Sequence, residues 1–145
     1  MIARLVGSEM CIRDSPYGDW IATSPLEVML RNQMQGLHTL VLFDLDPTGA
    51  GTGGQRPMQP SDALASIEAM MKKIGDSEID VEIKNQAAML LDSDIVLCSD
   101  LGTSDAYMKT TTIGNLSTIT GGRLNCMVFL ADMSEMEQKA VSRWS

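Results

Sequence analysis

An apolar run at residues 40–45, interrupted only by Asp44, is bounded by Gly36 on one side and by Asp46 and Pro47 on the other. A run this short between turn-forming residues is typical of a strand buried on both faces rather than of a helix. Apolar residues at helical spacing precede it, and a glycine-rich stretch follows it. Loops at the carboxyl ends of strands are where α/β proteins bind ligands. The pattern therefore predicts a central strand ending at Asp46, with a ligand site beyond it.

Three stretches of the chain have apolar residues spaced as on one face of a helix. The first is predicted to begin with Ser24 as the N-cap before Pro25, and a glycine ends it. A glycine preceded by two lysines also ends the second. Helices are thus predicted at residues 24–36, 61–75 and 135–141.

Apolar or β-branched runs between turn signals predict the remaining elements. These are strands at residues 94–99, 107–112 and 124–130, a short helix at 113–119 and a loop at 47–57. Residues 78–94 are ambiguous, because residues 87–91 fit a short helix whereas Val81 and Ile83 alternate as in a strand. The order of elements indicates an α/β or α+β domain.

The composition is that of a soluble globular chain, since 44% of the 145 residues are hydrophobic and 21% are charged. No apolar window is long enough to span a bilayer, which excludes a transmembrane helix. The formal charge of −8 and the scattered lysines and arginines argue against nucleic acid as a direct partner. The cysteines, Cys11, Cys98 and Cys126, form no CxxC pair and have no histidine at metal-ligand spacing. A cytoplasmic protein without a metal site is therefore expected.

Residues 1–14 have neither helical nor strand periodicity. Their sequence resembles the conceptual translation of a sequencing-library adapter, so we expect an artefact there rather than native sequence. On this interpretation the native chain begins near Ser15, and residues 15–145 are one truncated domain.

Residues 49–54 match the GxGxxG pattern and follow a predicted strand. In nucleotide-binding folds such glycines let the backbone approach a pyrophosphate at a helix N-terminus. Here a Gln-Arg-Pro segment intervenes before any helix, so a surface loop is the favoured interpretation and a nucleotide site the alternative. Asp44 and Asp46 imitate the start of a calcium loop, but Gln55 at the last ligand position cannot supply the bidentate carboxylate. Calcium is excluded there.

The other polar candidates are isolated. His38, the only histidine, could act as a general base near neutral pH. No nucleophile motif accompanies it and it precedes a core strand, so a structural role is favoured. Cys98 and Cys126 lie in apolar strands and are predicted to be packed rather than reactive. Three aspartates are predicted to flank strands in solvent: Asp92, Asp94 and Asp100.

Four motifs together point to a known family. Ser24-Pro25 and its helix lead into Gly-Leu-His-Thr-Leu at residues 36–40 and a strand that ends in an aspartate. Met-Gln-Pro-Ser-Asp-Ala follows at residues 58–63, Leu-Gly-Thr at 101–103, and an apolar strand at 124–130. These motifs resemble the carboxyl-terminal half of the diphthine synthases, the methyltransferases of diphthamide biosynthesis. The resemblance covers nearly all of residues 17–144.

The resemblance implies the carboxyl-terminal domain of a two-domain, tetrapyrrole-methylase-like (class III) methyltransferase, with a mixed sheet flanked by helices. It also implies S-adenosylmethionine held in the cleft between the domains, elongation factor 2 as the protein substrate, and a cytoplasmic homodimer. Phe43, Leu101 and Asn125 match positions at which the family contacts the cofactor. The family has Leu, Ala and His there. The amino-terminal domain is expected to be missing, so the chain alone is predicted to be inactive.

Three alternatives stay open at this point. Another tetrapyrrole-methylase-like enzyme, such as a corrin-ring methyltransferase, would share the fold and the methyl donor. A nucleotide-binding module would use the glycines at residues 49–54. A non-catalytic interaction domain would not bind S-adenosylmethionine at all. The sequence assigns no catalytic residue and no metal ligand.

Overall fold

A five-stranded mixed sheet organises the chain in a computed structural model that describes residues 9–12, 23–43, 58–78 and 80–144. The strands are β1 (Glu9–Ile12), β2 (Thr39–Phe43), β3 (Asp94–Ser99), β4 (Tyr107–Thr112) and β5 (Asn125–Phe129). The helices are α1 (Ser24–Met34), α2 (Pro60–Gly75), α3 (Val81–Ala88) and α4 (Glu135–Ser142), with 3₁₀ turns at Leu90–Asp92 and Ile113–Thr118. The strand order is β1-β2-β5-β3-β4, and only the β1–β2 pair is parallel within this sheet. The predicted α/β class with a mixed sheet is confirmed.

The inner face of the sheet carries the main core. Alternate strand residues, including Val41, Leu97 and Phe129, are fully buried there. Helices α1, α2 and α3 cover this face with their apolar stripes. The buried helix residues are Leu26, Met29, Leu30, Ala63, Leu64, Ile67, Met70, Ile74, Ile83 and Ala87. This packing confirms the helical spacing of apolar positions read from the sequence.

The outer face of the sheet is only partly covered. Val96, Cys98 and Val128 are buried there, with Val141 and Trp144 at the end of α4 packed against them. At the other end of the same face Leu42 is 38% exposed. The prediction that the central strand is buried on both faces is therefore wrong for β2, because α4, the helix that packs on the outer side in the described part of the chain, leaves Leu42 uncovered. Residues 44–57, which include the predicted strand end at Asp46 and the GxGxxG segment, lie outside the described residues.

The amino-terminal segment contains a strand although residues 1–14 show no strand periodicity. Residues 9–12 form β1 and pair in parallel with β2, from Glu9 opposite Leu40 to Ile12 opposite Phe43. Strand pairing uses backbone groups that any residue except proline supplies, so side-chain alternation is not required for it. The adapter origin of residues 1–14 stays a prediction.

The ambiguous segment resolves as a helix. Asp80 accepts a 3.0 Å hydrogen bond from the Glu82 N–H and so caps α3. Val81 is 68% exposed whereas Ile83 is buried, as expected for residues on different faces of a helix. The strand alternative for this pair is wrong. The predicted helix at residues 87–91 is displaced, since α3 ends at Ala88 and a 3₁₀ turn follows.

The structure moves two predicted helix starts by one residue. Thr23, not Ser24, is the N-cap of α1, and its hydroxyl donates a 3.0 Å hydrogen bond to Glu27 Oε2. Helix α2 begins at Pro60, one residue before the predicted start. Among the described residues, no helix combines the length and the hydropathy needed to cross a bilayer.

Candidate functional site

The three predicted cofactor-contacting residues lie at one edge of the sheet. Phe43 ends β2, and Asn125 begins the neighbouring antiparallel strand β5. The register pairs Leu42 with Cys126, so Phe43 and Asn125 occupy the next facing positions. Asn125 also pairs directly with Ser99, the last residue of β3, and Leu101 follows two residues later. The topology therefore brings together three positions that are far apart in the sequence.

The side chains of these residues differ in exposure. Phe43 is only 7% exposed and packs into the inner core, so it presents the end of a strand backbone rather than a free ring. Leu101 is 51% exposed in the turn after β3. It is therefore an apolar side chain at this edge that a ligand or another protein domain could cover. Asn125 is buried, and its amide is fully engaged.

The Asn125 amide makes four hydrogen bonds that tie three segments together. Its Oδ1 accepts from the Ser99 hydroxyl at 2.7 Å and from the Gly122 N–H at 2.9 Å. Its Nδ2 donates to the Met58 carbonyl at 3.0 Å and to the Gly122 carbonyl at 3.1 Å. These contacts use both donors and both acceptor positions of the amide. Asn125 thus fixes the local backbone and has no hydrogen-bonding capacity left for a ligand.

Gln59 holds the same loop from the other side. Its Nε2 donates to the Gly122 carbonyl and its Oε1 accepts from the Gly121 N–H, both at 3.1 Å. A Cβ at Gly121 would lie 2.6 Å from Asn125 Oδ1 and 2.8 Å from Pro60 Cδ. Only glycine fits this approach, so the Gly-Gly pair lets the start of α2 dock against the start of β5.

Asp100 shapes the turn that carries Leu101. Its φ of +51° is left-handed, an uncommon conformation for a residue with a Cβ. Its Oδ1 accepts hydrogen bonds from the N–H groups of Arg123 and Leu124 at 2.8 and 3.0 Å. Asp100 flanks β3 as predicted, but it is half-buried and holds the turn instead of facing solvent. Asp92 and Asp94 are exposed, as predicted.

His38 lies at the opposite edge of the sheet and has structural contacts. Its Nδ1 accepts a 2.9 Å hydrogen bond from the Ala131 N–H, and its Nε2 lies 3.4 Å from Glu137 Oε1. The Ser134 N–H, the Ser134 hydroxyl and His38 together lower the pKa of Glu137. His38 thus joins the entry of β2 to the start of α4, in agreement with the favoured structural interpretation.

An open groove of about 560 Å³ also lies at this opposite edge, away from Phe43 and Asn125. Its lining includes Asp92, Asp94 and Asp132, and Gln33 bridges it by donating to the Leu130 carbonyl at 3.2 Å. None of the residues predicted to contact a cofactor lines it. We therefore place the candidate site at the Phe43–Asn125 edge.

The polar side chains at the candidate site hold the local backbone in place. The Asp100 carboxylate accepts from two backbone N–H groups, and the Asn125 amide bonds to backbone groups of Met58 and Gly122. Within the described ranges, no group of three potential metal-ligating side chains occurs. The Asn125 network could not be read from the sequence, because its members come from residues 58–59, 99 and 121–125.

Comparisons with known proteins show what this chain is similar to. No family model matches the chain. The diphthine synthase of Methanoregula boonei is 35% identical over 63 residues, which cover 43% of this chain and 22% of that protein. A crystal structure of diphthine synthase superposes with a TM-score of 0.69 at 21% identity, covering 96% of this chain and 45% of that one. A conserved hypothetical protein from Aeropyrum pernix K1 gives a TM-score of 0.71 at 20% identity over 96% of this chain and 44% of its own.

The two solved structures show the fold, and the Methanoregula relative adds likeness in sequence to a diphthine synthase. The chain spans less than half the length of the solved structures and about a fifth of the curated relative. Together these findings confirm the resemblance of this chain to part of the diphthine synthases.

Proposed function

We propose that this chain is the carboxyl-terminal half of a diphthine synthase that uses S-adenosylmethionine to methylate the modified histidine of elongation factor 2. The observation that carries the proposal is the 35% identity to the diphthine synthase of Methanoregula boonei. The shared fold over 96% of the chain supports it. The proposed setting is the cytoplasm and the proposed assembly is a homodimer, both carried over from the resemblance.

The residues at the Phe43–Asn125 edge fit a methyl donor held by main-chain and apolar contacts. Leu101 is exposed and apolar, and Asn125 is buried with its amide filled by protein groups. We therefore assign Leu101 to direct contact, Phe43 to backbone contact at the end of β2, and Asn125 to positioning. When bound, the donor supplies an electrophilic methyl group on a sulfonium cation. Such a transfer depends on alignment of the reacting atoms.

The protein's own contribution is then a rigid edge. Ser99, Met58 and Gly122 lock the start of β5 through Asn125, and Asp100 fixes the turn before Leu101. A site built on locked strand ends positions a ligand better than one built on a free loop.

The proposal predicts that the chain alone is inactive. On this proposal the candidate site is one wall of a cleft, and the second wall would belong to the part of a diphthine synthase that this chain does not cover. The test joins an amino-terminal half of a diphthine synthase to this chain and measures transfer of labelled methyl groups. The acceptor is elongation factor 2 carrying the aminocarboxypropyl histidine, and the same factor without that arm is the control.

Transfer by the joined protein, restricted to the modified factor and absent with the isolated chain, is the expected result. Transfer by the isolated chain would contradict the proposed incompleteness. Transfer to a tetrapyrrole but not to the factor would replace the proposed substrate. No binding of S-adenosylmethionine by the joined protein would favour an interaction domain instead.

A further inference from the structure

Two cysteines face each other across neighbouring strands. Cys98 of β3 pairs directly with Cys126 of β5, and both side chains lie on the outer face of the sheet. Cys98 is 3% exposed, whereas Cys126 is partly exposed. The sequence predicted that each cysteine is packed separately in an apolar strand. The strand register instead places the two thiols next to each other.

The backbone hydrogen bonds define the spacing of this pair. The Asp100 N–H donates to the Leu124 carbonyl at 2.8 Å, and the Leu130 N–H donates to the Asp94 carbonyl at 3.1 Å. Facing pairs along two antiparallel strands alternate between hydrogen-bonded and non-hydrogen-bonded. Cys98–Cys126 is two positions from Asp100–Leu124, so it is also a hydrogen-bonded pair, whose Cα atoms are about 5.5 Å apart. Disulfides span Cα separations of about 4.4–6.8 Å. The Cα separation of the pair is therefore within the range that disulfides span.

The two thiols interact and have different reactivity. The neighbouring Cys98 thiol lowers the pKa of Cys126 to about 7. The same interaction, together with burial, raises the pKa of Cys98. Since the thiolate is the nucleophile in thiol–disulfide exchange, Cys126 is the attacking residue on both charge and exposure.

We propose that Cys98 and Cys126 form a redox-active dithiol that exchanges with low-molecular-weight disulfides such as oxidised glutathione. The Cys126 thiolate attacks one sulfur of the small disulfide, forms a mixed disulfide and releases one small thiolate. Cys98 then loses its proton to solvent and attacks the Cys126 sulfur, which releases the second small thiolate. The two protein thiols are oxidised to one disulfide, and the small disulfide is reduced to two thiols.

The bond is expected to be easily reversed. The Cβ atoms of facing residues are about 4.5–5.5 Å apart, with the hydrogen-bonded pairs at the wider end. A disulfide requires about 3.5–4.5 Å. The strands must therefore draw together when the bond forms, and strained disulfides are the more readily reduced ones.

The experiment uses the full chain with Cys11→Ser, which leaves only the pair. The protein is incubated with oxidised glutathione under native conditions, its remaining thiols are alkylated, and its intact mass and cross-linked peptides are measured. We expect a loss of two hydrogens, a Cys98–Cys126 cross-link, and full return of both thiols in excess reduced glutathione. Unchanged thiols, or a glutathione held separately on each cysteine, would overturn the proposal.

Two variants in the same background separate the roles. Cys98→Ala should accumulate a stable mixed disulfide on Cys126, because no second thiol can resolve it. Cys126→Ser should leave Cys98 unmodified, because Cys98 is buried. A mixed disulfide on Cys98 in the Cys126→Ser protein would contradict the assigned order of attack. Circular dichroism checks that each variant is folded. The cross-link measurement on Cys11→Ser tests the proposal independently of these two variants.

Discussion

The Ser99 hydroxyl donates a 2.7 Å hydrogen bond to Oδ1 of Asn125, directly across β3 and β5. Both side chains are buried, at 3% and 7% exposure. The same amide also holds Met58 and Gly122, so one residue joins the end of β3, the start of α2 and the loop before β5. The edge at which we place the candidate site is therefore maintained by a polar network rather than by apolar packing alone.

Replacing Asn125 should lower the stability of the fold. Asn125→Ala removes the partner of the Ser99 hydroxyl, the Met58 carbonyl and the Gly122 N–H, whereas the Gly122 carbonyl keeps the Gln59 amide as a donor. Leaving buried polar groups unpaired costs about 1–3 kcal/mol each, partly recovered by entry of water, so we expect a loss of about 2–4 kcal/mol in the free energy of unfolding. Urea titration followed by circular dichroism measures it. Asn85→Ala, at an exposed position of α3, is the matched control and should cost nothing. Equal midpoints for the two variants would show that the network does not stabilise the fold.

A side chain at Gly122 should be poorly tolerated. An added Cβ would collide with Asp100 Oδ2, and Asp100 cannot move aside without losing the Arg123 and Leu124 N–H groups. We expect Gly122→Ala to lower the free energy of unfolding by about 1–3 kcal/mol, in the range for overpacked sites. Gly75→Ala is the control, because a Cβ there meets nothing within 4 Å. An unchanged urea midpoint for Gly122→Ala would show that the loop yields more easily than these contacts indicate.

Acidification should weaken the attachment of α4 through Glu137. The pKa of Glu137 in the folded chain is lowered by the Ser134 N–H, the Ser134 hydroxyl and His38. The folded state therefore binds fewer protons than the unfolded state, so this stabilisation is present above the ordinary pKa of the carboxyl and is lost as pH falls through the folded value.

Unfolding titrations of the wild type and Glu137→Gln at several pH values measure this contribution. The wild type should be the more stable protein at neutral pH, and the difference should shrink on acidification. Glu135→Gln is the control, because Glu135 is exposed and pairs with exposed Lys139. A difference between wild type and Glu137→Gln that does not change with pH would contradict this assignment.

Changing Leu101 should affect the methyl donor without affecting the fold. Leu101→Asp places a charge on a side chain that is already 51% exposed, so the urea midpoint should stay within experimental error. In the joined, full-length protein the same variant should weaken binding of S-adenosylmethionine at least tenfold, or about 1.4 kcal/mol. Calorimetric titration measures the dissociation constant. Met136→Asp, on the exposed side of α4, controls for added charge. Unchanged affinity for Leu101→Asp would remove Leu101 from the proposed site.

The sequence predicted the elements that depend on local patterns. The bounds of β3 and β4 agree with their predicted ranges, because a continuous apolar run and a β-branched run each lie between clear turn signals. Gly36 ends α1 as predicted, since its φ of +76° lets the Leu37 N–H reach the Asn32 carbonyl at 2.8 Å. In both cases the deciding residues are neighbours in the chain.

What the sequence missed depends on distant residues. Whether Leu42 is covered depends on where α4 packs, and the role of Asn125 depends on Met58, Ser99 and Gly122 arriving together. The same holds for Cys98 and Cys126, whose pairing follows from the strand register and not from their spacing of 28 residues, from 98 to 126. The motifs identified candidate positions in the sequence. The burial, hydrogen bonds and neighbours of those residues could be read only from the folded structure.

The lowered pKa of Cys126 gives a prediction for the reduced protein. The facing neighbours of Cys126 are Leu42 and Cys98, so the Cys98 thiol is the cross-strand group that can stabilise a thiolate there. In Cys11→Ser, the alkylation rate should rise as pH increases through about 7, because the thiolate reacts and the thiol does not. In the Cys98→Ala variant of that protein, loss of the Cys98 thiol should move the midpoint upward, toward the ordinary value of 9.0. At neutral pH the variant should therefore be alkylated more slowly, although its smaller neighbour leaves more room for the reagent. Faster alkylation of Cys98→Ala would show that access of the reagent, rather than the effect of the Cys98 thiol on the pKa of Cys126, controls the reactivity of Cys126.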